Sequence, residues 1–315
     1  MPSIITHYRF AKYNLDRISY KRLGNVSSQG PDVFFFYGYG KCRKSAKEIR
    51  KFGVHLHNID ISDAFIYMIK YADEHKEHTD LLNHFIKGFV GHYLLDRNTH
   101  PYIYYRTGID GKQWSGGDYF LSHAAFETSI DTYYALRCNL DHNCAKLLRC
   151  TKSEIKICSE MMYHLAIDVF KSKVFKPNTY YLAWKDMKFT EHILNSRFGI
   201  KKFFYRHFFK NTPINVLSHP ATVTYSNVDI DFLNFEHSVW HDPVTNKVRN
   251  ESFYELYARA EGELANFTWI LEHKDIMPSW EADVKKMVNN IDHRGVPINS
   301  TIKYYENAWK KSKRS

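Results

Sequence analysis

Apolar positions along this chain recur at helical spacing, most clearly from Thr79 to Asp96. Leu82, Phe85, Ile86, Phe89, Val90, Tyr93 and Leu94 fall there at three- and four-residue steps, the period that lines one face of an α-helix. A polar stripe, Asp80, His84, Gly88, His92 and Asp96, runs beside them. Gly88 and Gly91 each weaken a helix by roughly 1 kcal/mol relative to alanine, a cost that implies the close approach of another backbone or an ion. Pro101 disfavours helical backbone at His100. The helix is therefore expected to end at His100, turning that ring toward a neighbouring site.

The same patterning predicts helices over Tyr119 to Arg137, Ser153 to Ser172 and, with interruptions, Trp184 to Phe209. A strong last helix spans Ser252 to His273, capped by Asn250, with Phe253, Leu256, Tyr257, Ala260 and Leu264 on one side. Gly108 to Gly117 reads as a loop and Asn211 to Val248 as less regular chain. Gln29-Gly30-Pro31-Asp32 is a turn that can present a carboxylate, and Phe34-Phe35-Phe36-Tyr37 behind it is compatible with a local strand. There is no internal repeat and no low-complexity linker. The expectation is an all-α, multi-helix protein with a core over 1–175 and a helical C-terminal extension over 176–315 packed on it.

At 315 residues, 44% hydrophobic and 16% aromatic, the chain can bury a substantial core, which argues against disorder. Its formal charge of +10 favours an anionic partner, although part of the excess sits in the tail residues Lys310, Lys311, Lys313 and Arg314. Five cysteines without paired two-residue spacing favour neither a disulfide framework nor a thiolate zinc site. No secretory signal and no run of membrane-spanning length is visible, so the expected location is the cytoplasm.

The chemistry lies in His92-x3-Asp96-x3-His100 and His123-x3-Glu127. Four residues turn a helix by about 400°, so each step returns a side chain to nearly the same face. Each cluster can aim its ligands in one direction. Imidazole nitrogen and carboxylate oxygen are the donors of zinc sites that keep a position open for water. His7, Asp32 and His57 complete a set of eight candidate ligands, with His84 a possible outer partner on the polar stripe. His55 and His57 would share a face in an extended segment, whereas in a helix they diverge by about 200° and only one could face the site.

Taken in order, several segments resemble the zinc-dependent phospholipase C family of bacteria, whose all-helical fold also serves zinc nucleases that cut single strands. They are Ile5-Thr6-His7, Gly30-Pro31-Asp32-Val33-Phe34-Phe35, Phe52-Gly53-Val54-His55-Leu56-His57-Asn58, Gly91-His92-Tyr93-Leu94-Leu95-Asp96 with His100-Pro101-Tyr102, and His123-Ala124-Ala125-Phe126-Glu127. They cover about the first 140 residues. Trp240-His241-Asp242-Pro243 and Glu251-Ser252-Phe253-Tyr254-Glu255-Leu256 also look like uncharacterised bacterial relatives, while the middle, roughly 160 to 235, has no match in the secreted enzymes.

The resemblance implies zinc. Asp32, His57, His92 and Asp96 would hold a first ion, and His100, His123 and Glu127 a second. A third would lie between His7 and a bridging Asp96; in the secreted enzymes it is completed by an N-terminal tryptophan, and no Trp precedes His7 here. Two firmly held ions are therefore expected, and a third only if another group completes it. The implied activity is phosphodiester hydrolysis of phospholipase C type, with Asp32 orienting or deprotonating the attacking water. The substrate would be a phosphodiester, with phospholipid the first candidate. Aromatic residues from Trp114 to Phe120 could wall the site, and the family's choline-binding residues have no counterpart. The alternatives are a nuclease on the same scaffold and a metal-stabilised binding protein without catalysis.

Overall fold

The computed structural model describes residues 4–15, 20–108, 118–141, 143–195 and 231–305. The segment Gly108 to Gly117 beyond its first residue, the helix expected from 196 to 209, the irregular chain from 211 to 230 and the basic tail lie outside the described residues. So do the side chains from Trp114 to Phe120.

The described chain is mainly helical. In order come α1 (Ile4–Asn14), α2 (Lys21–Ser27), a 3₁₀ helix (Gly30–Phe36), α3 (Ala46–His57), α4 (Ser62–Glu74), α5 (Thr79–Thr107), α6 (Asp118–Arg137), α7 (Cys144–Leu147), α8 (Lys152–Asp168) and α9 (Thr179–Leu194). A two-residue hairpin pairs β1 (Trp240–His241) with β2 (Val248–Arg249) in antiparallel register, and α10 (Phe253–His273) and α11 (Trp280–Val288) follow.

Helix α5 is the axis. Its 29 residues make a rod of about 43 Å, and both of its stripes are buried: Leu82, Phe85, Ile86, Phe89, Val90, Tyr93 and Leu94 on one side, His84, His92, Asp96 and His100 on the other. Helices α2, α4, α6 and α10 pack around it. The close approach expected at Gly88 is real. A Cβ there would stand 1.8 Å from Ser27 Oγ, so only glycine lets α2 lie directly on the axis.

Pro101 does not end this helix, contrary to the sequence expectation; α5 continues to Thr107. Tyr102, Ile103 and Tyr104 beyond the proline are buried, and the Tyr102 hydroxyl donates to the Phe232 carbonyl at 3.2 Å. Burial of that last stretch outweighs the one backbone hydrogen bond a proline removes. Phe34 to Phe36 are likewise not a strand but part of the 3₁₀ helix, whose turn buries Phe34 and Phe36 while Phe35 packs on the His57 ring.

Two capping boxes set helix starts. Thr151 with Glu154 opens α8, and Ser252 with Glu255 opens α10, two residues later than the Asn250 cap expected from sequence. The apolar face predicted for α10 is buried throughout. One hydrophobic cluster extends from Ile4 in α1 to Val288 in α11, so residues before and after 176 share a core. All five cysteines are free thiols. No described helix is long and apolar enough to cross a membrane.

Candidate metal centre

The polar stripe of α5 meets side chains from four other parts of the chain. His92 Nε2 lies 3.1 Å from Asp96 Oδ2 and 3.9 Å from Asp32 Oδ2. Asp32, presented by the 3₁₀ helix, reaches His57 Nε2 at 3.0 Å with its other oxygen. His7, from α1, places Nε2 3.1 Å from Asp96 Oδ1 and stacks on His92 with ring centroids 4.3 Å apart. Asp96 is the hub, since His100 Nδ1 also stands 3.9 Å from its Oδ2. One turn further along α5, His100 Nε2 lies 3.4 Å from Glu127 Oε1, and His123 Nε2 approaches the same oxygen at 3.2 Å. The four-residue spacings on α5 and α6 thus aim both clusters into one buried seam, as predicted.

His100 takes part from within the continuing helix, not from its end. His57, not His55, faces the seam. Both lie on α3, where two residues put them on different faces; His55 is exposed and packs edge-on against Phe170. His84 is buried beside Gly24 and the Tyr20 ring.

Three groups bring ligand atoms within 4.8 Å of one another: His57 with His92 and His293, His7 with His92 and Asp96, and His100 with His123 and Glu127. His92 belongs to two of them. A single imidazole nitrogen serves one ion, so the geometry matches two to three zinc ions.

The surroundings fit metal. Three ring nitrogens meet backbone carbonyls: His92 Nδ1 donates to Ser28 at 3.1 Å, His57 Nδ1 to Gly53 at 2.7 Å and His100 Nδ1 to His293 at 2.7 Å, whereas Nδ1 of His7 and of His123 is buried without a hydrogen-bond partner among the described residues. A carbonyl only accepts, so the proton of each neutral ring is on Nδ1 and its Nε2 lone pair points inward, although His100 must first give up an Nε2 proton to reach that form. His92 Nε2 and both ring nitrogens of His293 are buried without a hydrogen-bond partner among the described residues. A cation would satisfy His92 Nε2 and the unprotonated nitrogen of His293, whose burial without a partner otherwise costs free energy.

Charge follows the same plan. Burial opposes ionisation of Asp96, yet His92, His100 and His7 outweigh it and hold its carboxyl well below the usual carboxylate range. Burial is likewise outweighed at Asp32 by His92 and His57, and at Glu127 by His123 and His100, so both are lowered. Burial would depress His100, but Asp96 and Glu127 raise it to about 9. At His123 and His293 burial prevails and pushes the imidazole down, far down for His293. The carboxylates are charged and two of the rings neutral, the protonation states that coordination requires.

Two residues went unnoticed in the sequence. Asp131 continues the α6 stripe one turn past Glu127. Its carboxylate accepts from the Ile5 and Thr6 amides at 2.9 and 2.8 Å and from the Thr6 hydroxyl at 2.7 Å, capping α1 and so fixing His7. The pattern His123-x3-Glu127-x3-Asp131 could have revealed it. His293 lies in a short loop with no periodic signal, 193 positions from the His100 ring that its carbonyl holds. No family model, curated protein or solved structure matches the chain.

Proposed function

We propose that the protein is a zinc-dependent phosphodiester hydrolase of phospholipase C type. The observation that carries this reading is the seam itself: carboxylates and inward-facing imidazoles from α1, the 3₁₀ helix, α3, α5 and α6 meet in one place. They do so in the order in which the sequence resembles that family. Residues 1–175 would form the metal-binding core, and 176–315 a helical extension packed on it.

Under this reading His57, His92, Asp32 and Asp96 hold one ion, His100, His123 and Glu127 a second, and His7 with Asp96 contributes to a third. Zinc in such a cluster supplies Lewis acidity toward phosphoryl oxygens and makes water more acidic near neutral pH. The chain's own contribution is positional and protolytic. Asp32, ionised and 3.0 Å from His57, accepts the proton of the attacking water as its oxygen bonds to phosphorus and the ester oxygen departs. Helices α5 and α6 keep bulk water from the reacting atoms, since His92, Asp96, His123 and Glu127 are all buried.

That burial also favours a second reading, in which the ions only stabilise the fold and the protein binds without catalysis. The decisive experiment is reconstitution with zinc followed by assay on an activated phosphodiester, glycerophospholipid vesicles and single-stranded nucleic acid. Chelator-sensitive cleavage of the diester and of phospholipid on the glycerol side of phosphorus is the expected result. Cleavage of nucleic acid alone would make it a nuclease on this scaffold, a route the charge of +10 suits. A fully metallated protein inert to all three would establish the binding role.

A further inference from the structure

His293 belongs to none of the segments that resemble the phospholipase C family, yet it enters the metal seam from the far end of the chain. Its ring centroid is 4.6 Å from that of His57 and 5.7 Å from that of His92, and one of its nitrogens lies within 4.8 Å of one from each of them. The loop that delivers it is braced at every step. Ile291 and Pro297 close its neck by a bridge. The Asp292 carboxylate takes the Arg294 guanidinium at 2.8 and 2.6 Å, and the Asp292 amide donates to the Val296 carbonyl at 3.1 Å.

The loop docks where α5 is notched. Pro101 has no N–H to give the carbonyl of Arg97 four residues earlier, and Gly295 lies over that carbonyl. A Cβ on Gly295 would be 2.1 Å from Arg97 O and 2.6 Å from the Pro101 ring, and its φ of +70° is left-handed, so glycine is required twice over. The His293 amide donates to the His57 carbonyl at 3.3 Å and its carbonyl accepts from His100, tying the loop to both halves of the centre. A loop held this rigidly has nevertheless buried an imidazole with neither nitrogen hydrogen-bonded among the described residues. Retaining such a group in place of an apolar one costs stability unless something binds it.

We propose that His293 is a ninth metal ligand, binding the ion shared by His57 and His92, so that zinc uptake there is coupled to docking of the C-terminal loop. The inference rests on the metal centre proposed above but not on its activity. It is tested on chelator-stripped full-length protein, comparing wild type with His293→Leu by thermal unfolding, by cobalt and zinc titration, and by hydrogen exchange across 289–300.

A ligand predicts that the metal-free variant unfolds at or above the wild-type temperature, because an unsatisfied buried ring has been replaced by an apolar side chain. It also predicts that one ion is bound at least about tenfold more weakly, with an altered visible cobalt spectrum. The ion at His100, His123 and Glu127 should titrate as before, because the His293 carbonyl that holds His100 is retained. Zinc should slow exchange in the loop of wild type and not of the variant. Equal affinities and spectra would overturn the proposal, as would a loss of stability already present without metal. Failure of wild type to take up any divalent ion would overturn the metal centre as a whole, a different outcome from a metallated wild type that His293→Leu leaves unchanged.

Discussion

His100, His123 and Glu127 stand on two long helices, whereas Asp32 and His293 reach the same seam from a 3₁₀ turn and a loop. The first group is positioned by helical repeat alone: once α5 and α6 pack, i and i+4 side chains converge without special backbone. The second depends on tight local geometry. Gly30 at φ +51° leaves just enough room for the His92 ring, and Gly295 at φ +70° fits the loop onto the proline notch. A helix-borne site should therefore tolerate sequence change around it, and a loop-borne one should not. His92 joins the two, with its ring on the helix and its Nδ1 on the Ser28 carbonyl.

Removing that joint should have the largest effect. His92→Ala removes the one nitrogen for which two groups contend and leaves Asp32 and Asp96 buried without the ring that holds their charge. Zinc content after reconstitution should fall by more than in His123→Ala, and diester cleavage should drop to background. Equal zinc loss in the two variants would show that the damage stays with the one ion His92 binds and does not spread through Asp32 and Asp96.

Gly30→Ala comes next, because it strikes the loop-borne half alone. The new Cβ would lie 2.3 Å from His92 Cδ2 on a left-handed backbone, a clash and a strain that together should cost roughly 1–4 kcal/mol of stability. Elemental analysis should show the ion at His57 and His92 lost while the one at His100, His123 and Glu127 remains. A variant that lost both ions, or neither, would break the distinction between the halves.

A subtler contrast is expected of Asp32→Asn. The amide oxygen can still face His57 but cannot take a proton, so kcat should fall by about 10²- to 10⁴-fold with most of the zinc retained. If instead the variant released its zinc in step with its activity, the lost ligand would account for the whole effect and the variant would lend no support to Asp32 as base.

The same division explains what the sequence revealed. The apolar face of α5, the ligand pairs on α5 and α6 and the packed face of α10 are periodic, so a reader of the chain can place them. The continuation of α5 through Pro101 was hidden because the burial of Tyr102, Ile103 and Tyr104 that decides it is tertiary. His293 was hidden for a related reason. Nothing in Asp292-His293-Arg294-Gly295 repeats, and its partners His57 and His92 are each more than two hundred residues away. That α3 is helical allows only one of His55 and His57 to face the seam, and the packing of α3, which leaves His55 exposed and brings His57 to Asp32, decides which.

The smallest expected effect is a count of protons. His100 in the metal-free protein titrates at about 9, held in its charged form by Asp96 and Glu127 against the opposing effect of burial. Its folded value lies above the unfolded one near 6.5, so the stability it contributes is fully present below about 6.5 and is lost as pH rises through 9. His123 and His293 are shifted the other way and are already neutral at pH 7.5, while Asp96 and Glu127 are already ionised. Zinc needs the neutral ring of His100. Binding at the helix-borne group should thus expel about one proton at pH 7.5 and almost none at pH 10, measurable by calorimetry in buffers of different ionisation enthalpy. His293 has no proton to give, so the loop-borne ion should not draw one from it. His100→Gln should abolish the helix-borne proton and leave the loop-borne ion's signal unchanged; a wild-type count that did not change between pH 7.5 and 10 would show that His100 is neutral before metal arrives.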